Sequence, residues 1–141
     1  MVFGQEPVYL LVAKKISSLN EILKERFDIV GIDEIHMFEE KDIGTIEELL
    51  NRGVEVFVSG LDMDYRGEMF GIIKKLMELG PKEVRYKKAV CEICKEPKAV
   101  YTPIFKDGKI IIEGVPSVAP EDGTYTYMPV CRKCFHKIRI N

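Results

Sequence analysis

The sequence FDIVGIDEIHMF, which runs from Phe27 to Phe38, is the clearest indication of the fold that we expect for this chain. Its first half is a continuous and mostly apolar run with several β-branched residues, which is typical of a strand covered on both faces. The run ends in two adjacent carboxylates, Asp33 and Glu34. Nucleotide-binding α/β folds place metal-binding and catalytic acids just past the C-terminal end of a buried parallel strand. The alternative is that the two acids only begin the following helix, where carboxylates are common.

Strand and helix patterns alternate on both sides of this stretch. Compact apolar runs indicate strands, and apolar residues at helical spacing behind a Ser or Thr cap indicate helices. The alternation predicts right-handed crossovers between the parallel strands of one sheet. The elements predicted in this way are strand 7–13, helix 18–26, strand 27–33, helix 45–53, strand 54–59, helix 72–79 and strand 83–90.

A long polar loop, GLDMDYRGEMFG, follows the third predicted strand from Gly60 to Gly71. Loops at the carboxyl ends of parallel strands commonly carry ligand-binding residues, because the sheet positions them while leaving them accessible. We therefore expect this loop to contribute to a binding site at that end of the sheet.

Composition and charge exclude several classes of protein. The chain has 141 residues, of which 46% are hydrophobic and 31% are charged, so it can bury a core and is not a disordered tail. Its net charge of −2 provides no general attraction to nucleic acids or membranes. No apolar run reaches the roughly 20 residues of a membrane span, and the N-terminus lacks the pattern of a signal peptide. We therefore expect a cytoplasmic protein without a membrane partner.

The four cysteines form two Cys-x-x-Cys pairs, Cys91 with Cys94 and Cys131 with Cys134. In a cytosolic protein this arrangement favours a metal site over disulfides, and zinc favours a tetrahedron of four thiolates. Four protein ligands leave no open position for water, so this zinc would stabilise structure rather than perform chemistry. His136 lies near the second pair but is not needed to complete the set. The alternatives are a redox-active dithiol and ordinary buried cysteines.

The sequence from Cys91 onward differs in character from the part before it. Asp107-Gly108 is typical of a tight hairpin turn between two strands. The elements predicted here are the hairpin strands 99–105 and 109–113, a flexible loop at 114–123 and a short strand at 124–130. We therefore divide the chain into an α/β domain, 1–90, and a zinc ribbon, 91–141, whose long loop could close over a ligand as a lid.

Four blocks of the sequence resemble those of the type II thymidine kinases, in the same order and at similar spacing. The family patterns D-E-x-Q-F-F, G-L-D-x-D-F-R-x-x-P-F-G, Cys-x-x-Cys and Y-x-x-V-C-R-x-C-Y/F correspond here to VGIDEIHMF, GLDMDYRGEMFG, AVCEIC and YMPVCRKCF. The resemblance extends from about Pro7 to the end of the sequence. It implies a P-loop kinase fold with a zinc-bearing lasso domain, which transfers the γ-phosphoryl group of ATP to the 5′-hydroxyl of thymidine.

The resemblance also implies roles for particular side chains. Glu34 would be the general base that accepts the proton of the 5′-hydroxyl, and Asp33 would hold Mg²⁺ directly or through water. Backbone groups within 112–126 would bind the edges of the thymine base. The side chains that would pack on the nucleoside are Met37, Leu61, Tyr65, Phe70 and Tyr127. From the residues alone, the apolar side chains among these could equally belong to the core.

The sequence also departs from the family pattern. The family's G-x-x-x-x-G-K-[ST] loop binds the ATP phosphates through backbone N–H groups and a lysine, and it has no counterpart in these 141 residues. His36 stands where the family usually has Gln, Met37 replaces an aromatic residue and Met69 replaces Pro. Three interpretations follow: a fragment or split half whose partner supplies the loop, a degenerate nucleoside-binding relative, or a zinc ribbon that contacts proteins or nucleic acids.

These observations predict an α/β fold with a partial parallel-sheet, P-loop-kinase-like domain followed by a small β zinc-ribbon lobe. The expected function is thymidine kinase-like, with structural zinc, and with Mg²⁺ and ATP if the chain is active. The alternative is a non-catalytic zinc-ribbon protein that is a nucleoside-binding remnant or an interaction module. A sheet edge left open by a missing strand favours pairing with another strand, so we also expect a homo-oligomer or a partner chain.

Overall fold

The structure, a computed structural model, describes residues 13–140. Two parallel strands, β1 (Ile29–Ile32) and β2 (Glu55–Val58), form its first sheet. Helix α1 (Ile43–Asn51) lies between them in the chain, so the predicted strand–helix–strand unit is confirmed. The predicted strand at 7–13 lies almost entirely outside the described residues.

Strand β1 is covered on one face by the described residues, whereas the sequence pattern predicts cover on both. Val30 and Ile32 are buried, but Ile29, which points to the opposite face of the strand, is 47% exposed. The buried face packs against residues from the surrounding helices and turns, as apolar burial requires. The buried members of this first apolar cluster are Leu19, Val30, Ile32, Ile35, Ile46, Leu49, Val54 and Ile72.

The helices around this sheet differ in detail from the prediction. The segment predicted as helix 18–26 forms a 3-10 helix, Leu19–Lys24, because Glu25 already adopts an extended conformation on the way to β1. Helix α1 begins two residues before Thr45, the predicted cap, because a 3-10 turn leads directly into it. Helix α2 (Gly71–Glu78) lies within one residue of the prediction at each end.

The predicted strand at 83–90 does not form, and that prediction is wrong. The chain after α2 is irregular, and Ala89 makes only an isolated bridge to Ala99. Val84 and Tyr86 are 44% and 64% exposed, so these alternating apolar residues have no surface to pack against in the described part of the chain. An alternating pattern produces a strand only when one of its faces is buried.

A second, antiparallel sheet follows the first cysteine pair. Strands β3 (Ile104–Lys106) and β4 (Lys109–Ile111) form the predicted hairpin. Asp107 and Gly108 between them both have positive φ, as a tight two-residue turn requires. The short strand β5 (Thr126–Tyr127) pairs with β3, which gives the order β4-β3-β5. The parallel and antiparallel sheets together confirm the mixed α/β class, although the strands are shorter than predicted.

Helix α3 (Arg132–Ile140) ends the described chain and is not predicted above. Cys131, Cys134, Phe135 and Ile138 follow the i, i+3, i+4, i+7 spacing of one helical face, but the spacing of the two cysteines is equally typical of metal binding. Cys134 and Phe135 are buried, while the basic residues of the helix are exposed. With nine residues each, α1 and α3 are the longest helices within 13–140, and no helix there is long and apolar enough to cross a membrane.

A small third apolar cluster joins the two sheets. Tyr65, from the loop after β2, packs there with Ile104 of β3 and with Ala119. This contact places the loop that follows the parallel strands against the antiparallel sheet. The division into domains 1–90 and 91–141 stays a prediction.

Candidate functional site

The four cysteines converge on one point of the structure. The Sγ atoms of Cys91, Cys94, Cys131 and Cys134 all lie within 4.8 Å of one another, and those of Cys94 and Cys131 are 3.8 Å apart. With Zn–S bonds of about 2.3 Å, a regular tetrahedron of sulfurs has edges of about 3.8 Å, so the spacing suits zinc. A disulfide would need sulfurs about 2.05 Å apart. The four residues could therefore hold a metal such as zinc, and His136 is not part of the converging group.

Backbone hydrogen bonds shape the cysteine site. The Cys91 N–H group donates to Glu96 O, and the Lys95 N–H group donates to Cys91 O, each over 2.8 Å, so the first pair sits in a tight turn. Val130 N–H donates to Tyr101 O (2.9 Å), and Tyr101 N–H donates to Val130 O (3.0 Å). Local turns therefore form the first knuckle, and a long-range bridge brings the second one to it.

The electrostatics of the cluster favour a bound cation. Burial opposes ionisation of Cys91, but backbone N–H groups, first that of Cys94, lower the pKa of its thiol to about 6. Burial and the neighbouring sulfurs raise the pKa of Cys134 to about 12. A further negative charge is unfavourable beside an existing thiolate, and a divalent cation removes that repulsion.

The acid pair lies at the carboxyl end of β1, beside the end of β2. The Asp33 Oδ1 atom accepts hydrogen bonds from Ser59 Oγ (2.6 Å) and from the Glu34 N–H group (2.9 Å). These two donors hold the pKa of the Asp33 carboxyl below its usual value, so it is ionised at neutral pH. The Ser59 carbonyl also accepts from Ile35 N–H (3.0 Å). The end of the second strand thus positions the loop that carries the acids.

Glu34 combines an unusual backbone conformation with an accessible carboxylate. Its φ of 54° and ψ of 39° are left-handed, which costs a non-glycine residue about 1–3 kcal/mol. Its side chain is 65% exposed. Although Glu34 precedes the 3-10 helix Ile35–Met37, its side chain makes no capping hydrogen bond to that helix. The helix-capping alternative therefore does not account for Glu34.

A cavity of about 480 Å³ opens beside the acid pair. Every non-cysteine site residue predicted from the sequence lines it, namely Asp33, Glu34, Met37, Leu61, Tyr65, Phe70 and Tyr127. Residues 112–125, which connect β4 to β5 and are here called the lasso loop, form a further wall of the cavity through Ser117, Val118, Ala119 and Glu121. The volume lies in the range of small-molecule sites in proteins.

Burial separates two kinds of cavity-lining residue. Met37, Leu61 and Tyr127 are 40%, 42% and 50% exposed, so they present free apolar surface at the cavity. Tyr65 and Phe70 are 4% and 7% exposed and form part of the packed wall. The alternative that these residues belong to the core therefore fits the second group better than the first.

Hydrogen bonds attach the lasso loop to the loop after β2. The Tyr65 hydroxyl donates to Val115 O (2.7 Å) and accepts from Val115 N–H (3.2 Å). The Arg66 Nη2 group donates to Ser117 Oγ (3.0 Å) and to the buried Asp64 carboxylate (2.7 Å). The segment that the sequence predicts to be a flexible loop is therefore bonded to the opposite wall of the cavity.

The acid pair also supplies the ligand type that Mg²⁺ prefers. Magnesium is usually bound by one or two carboxylates together with water and substrate phosphates. Asp33 is ionised and lies at the cavity, with Glu34 beside it. Within residues 13–140, three or more potential metal-binding side chains come close together at the cysteine site and not at the acid pair. Asp33 would therefore suit magnesium that is also bound by phosphate oxygens.

Comparison with known proteins decides the family. A family model described as thymidine kinase matches residues 6–135. The chain belongs to the thymidine kinase family. The thymidine kinase of Pseudothermotoga lettingae is 32% identical over 133 residues, which cover 93% of this chain and 66% of that relative. The thymidine kinase of Mesoplasma florum is 36% identical over 115 residues, with 82% and 55% covered. That of Acanthamoeba polyphaga mimivirus is 35% identical over 125 residues, with 85% and 49% covered.

This member of the thymidine kinase family spans between about half and two thirds of the length of these curated relatives. The family match includes both the acid pair and the cysteine pairs, so it covers the two sites that the structure brings out.

Three further residues shape the cavity, and the sequence alone assigns none of them a role in the site. Ser59 bonds the Asp33 carboxylate, and His36 bonds the backbone of Leu61. Burial opposes ionisation of Asp64, but hydrogen bonds led by that of Arg66 hold the pKa of its carboxyl below the usual value. A polar residue directly after a strand is a weak signal for such contacts, because only the folded chain shows which partner it meets.

Proposed function

We propose that the cavity binds thymidine or a closely related nucleoside, and that Glu34 is the base for phosphoryl transfer to the 5′-hydroxyl. The observation that supports this most strongly is the convergence of all seven predicted non-cysteine residues on one cavity. Such convergence is informative because the residues come from three separate segments of the chain. It agrees with a family whose curated members are thymidine kinases.

The geometry suggests how the nucleoside would be held. The free apolar surface of Met37, Leu61 and Tyr127 suits the faces of a planar base, while the backbone of the lasso loop offers hydrogen bonds to its edges. A base bound there leaves the sugar hydroxyl to be directed toward Glu34, whose carboxylate is accessible. An accessible carboxylate at hydrogen-bond distance can accept the hydroxyl proton as the oxygen attacks the γ-phosphorus.

The acid pair divides the chemistry between two carboxylates. Glu34 would accept the proton, and the ionised Asp33, fixed by Ser59, would hold Mg²⁺ that neutralises phosphate charge when it is bound. The phosphate-binding G-x-x-x-x-G-K-[ST] sequence is absent from these residues. The proposal therefore assigns the binding of the ATP phosphates to a segment outside this sequence or to a partner chain. That segment or partner would also pair with the parallel sheet.

Calorimetric titration of the zinc-loaded chain with thymidine, followed by Mg-ATP, tests the proposal. We expect thymidine to bind and Glu34→Gln to bind it nearly as well, because the substitution keeps the size of the side chain. Where transfer is measurable, Glu34→Gln should lower kcat about 10²–10⁴-fold. Glu47→Gln, at an exposed position of α1, is the matched control. A chain that binds no thymidine would overturn the nucleoside proposal, and undiminished transfer by Glu34→Gln would remove Glu34 from its role.

A second candidate function has its own supporting observation. A second cavity, beside the cysteine site, is lined by several cations and by no carboxylate, including Lys88, Lys98, Arg132 and Lys133. Residues 85–141 contain eleven Lys and Arg but only six Asp and Glu. Such a surface suits contact with a nucleic acid backbone. A single-stranded oligonucleotide that binds without thymidine, and more weakly as salt rises, would favour this interaction module over the kinase proposal.

A further inference from the structure

His36 connects the two loops that carry most of the proposed site residues. Its side chain is only 8% exposed. Its Nδ1 atom accepts a hydrogen bond from Leu61 N–H (3.0 Å), and its Nε2 atom lies 3.3 Å from Glu34 Oε2. The ring centroid is 5.1 Å from that of Phe70. One buried side chain therefore contacts the proposed base and two residues of the cavity wall.

The hydrogen bond from Leu61 determines which nitrogen of His36 carries a proton. A ring nitrogen that accepts a hydrogen bond uses its lone pair, so the neutral ring bears its proton on Nε2. Burial lowers the pKa of His36, although the negative charges of Glu34, Glu121 and Asp33 oppose this shift. The ring is therefore neutral at pH 7, and its remaining N–H group belongs to the nitrogen nearest Glu34.

Gly60 allows His36 to approach this closely. A Cβ atom at Gly60 would lie 2.8 Å from His36 Nδ1 and 3.2 Å from the backbone nitrogen of Ile35. A larger residue would push the imidazole away from the Leu61 N–H group or displace the loop after β1 that carries Asp33 and Glu34, here called the acid loop. The glycine and the histidine thus form one packing unit between the two loops.

We propose that His36 is a positioning residue that fixes the Glu34 carboxylate and the Leu61 backbone in one arrangement across two loops. The inference rests on the proposed function, because this arrangement matters for chemistry only if Glu34 accepts the 5′-hydroxyl proton. The separation of 3.3 Å fits such a role, since hydrogen bonds to catalytic groups are often long until substrate is bound. His36 itself contacts no reacting atom.

Two substitutions at His36 distinguish the effect of its hydrogen-bonding groups from the effect of its side-chain volume. His36→Gln keeps one acceptor for Leu61 N–H and one donor for Glu34, whereas His36→Leu keeps apolar volume and removes both. We expect His36→Leu to weaken thymidine binding about tenfold, as the loss of a buried hydrogen-bond acceptor predicts. Where transfer is measurable, it should also lower kcat, while His36→Gln restores both values to within about threefold. His136→Gln, at the exposed second histidine, is the control.

Long-range ¹H–¹⁵N spectra of the zinc-loaded chain, recorded without nucleoside, test the geometry separately. At pH 7 we expect the His36 proton on Nε2 alone. A proton on Nδ1 would overturn the inference even if thymidine binds. Wild-type thymidine affinity and kcat in a folded His36→Leu variant would also overturn it, while leaving the proposed function intact. A wild-type chain that binds no thymidine would instead overturn the proposed function, and the inference with it.

Discussion

The two main apolar clusters lie in different parts of the molecule and are stabilised in different ways. The cluster under the parallel strands consists of eight buried residues, all of them Leu, Ile or Val, and none is a metal ligand. The cluster beside the antiparallel sheet has six buried residues, of which three are cysteines of the proposed metal site: Cys91, Ala99, Val130, Cys131, Cys134 and Phe135. The first cluster depends on buried apolar area, whereas the second contains cysteines that a bound metal would cross-link.

This difference matters because the cavity takes walls from both parts. The acid loop belongs to the first part, and the lasso loop belongs to the second. Tyr65 links them through its packing and through its hydroxyl group. Damage to either cluster should therefore disturb the cavity, but by separable routes.

Removal of a proposed zinc ligand should have the largest effect, and this effect should fall on the second cluster rather than on the first. Structural zinc sites contribute about 10–16 kcal/mol of apparent binding energy in small zinc-binding peptides. Cys91→Ser should therefore lose the metal and unfold or loosen residues 91–140, while β1 and β2 keep their amide protection. Metal analysis together with residue-resolved hydrogen exchange measures both parts.

The control for this experiment lies in the same turn. Glu92→Ser changes an exposed neighbour that is not a ligand, so it should keep one zinc per chain. If carefully purified wild-type protein contains no zinc, or Cys91→Ser keeps a full equivalent, the metal assignment fails.

A core truncation in the first part should give the reciprocal result with a smaller effect. Leu49 is 1% exposed, so Leu49→Ala should lower the free energy of unfolding by about 2–5 kcal/mol. The zinc content should not change, because the cysteines lie in the other cluster. Leu50→Ala, at a neighbouring position that is 45% exposed, should cost far less. Zinc release by the folded Leu49→Ala protein would show that the two parts are not separable.

Removal of one hydroxyl group should give the smallest effect and should act on the link between the two parts. Tyr65→Phe keeps the ring but leaves the Val115 N–H and C=O groups without this partner, at a cost of about 0.5–1.5 kcal/mol. We expect faster hydrogen exchange at the Val115 amide and little change elsewhere. Tyr86→Phe, on an exposed tyrosine, is the control. Unchanged exchange at Val115 would mean that the hydroxyl does not hold the lasso loop.

Elements that follow from short-range patterns were predicted well. The run that ends in Asp33 forms β1, and Asp107-Gly108 forms the hairpin turn, because both depend on neighbours in the sequence. The strand predicted at 83–90 failed because its pattern needs a distant surface that the described chain does not supply. Helix α3 was overlooked because the same cysteines satisfy both metal spacing and helical spacing.

The candidate site divides in the same way. Resemblance to a family named the residues that line the cavity, but it did not reveal how they are held. The contacts of Asp33 with Ser59 and of Tyr65 with Val115 join residues 26 and 50 positions apart. The first contact depends on the pairing of β1 with β2, and the second depends on how the loop after β2 packs against the antiparallel sheet, which no local pattern encodes.

Three features follow directly from residue type and short spacing: the two cysteine pairs, the acid pair and the strand that presents the acids. These features depend on residue type and on spacing over a few positions, and backbone geometry converts such spacing directly into structure. The enclosure of one cavity by three distant segments, the accessibility of Glu34 and the burial of His36 all depend instead on the folding of the whole chain. Burial and hydrogen-bond partners set the protonation of such groups, and both arise when segments far apart in the chain pack together.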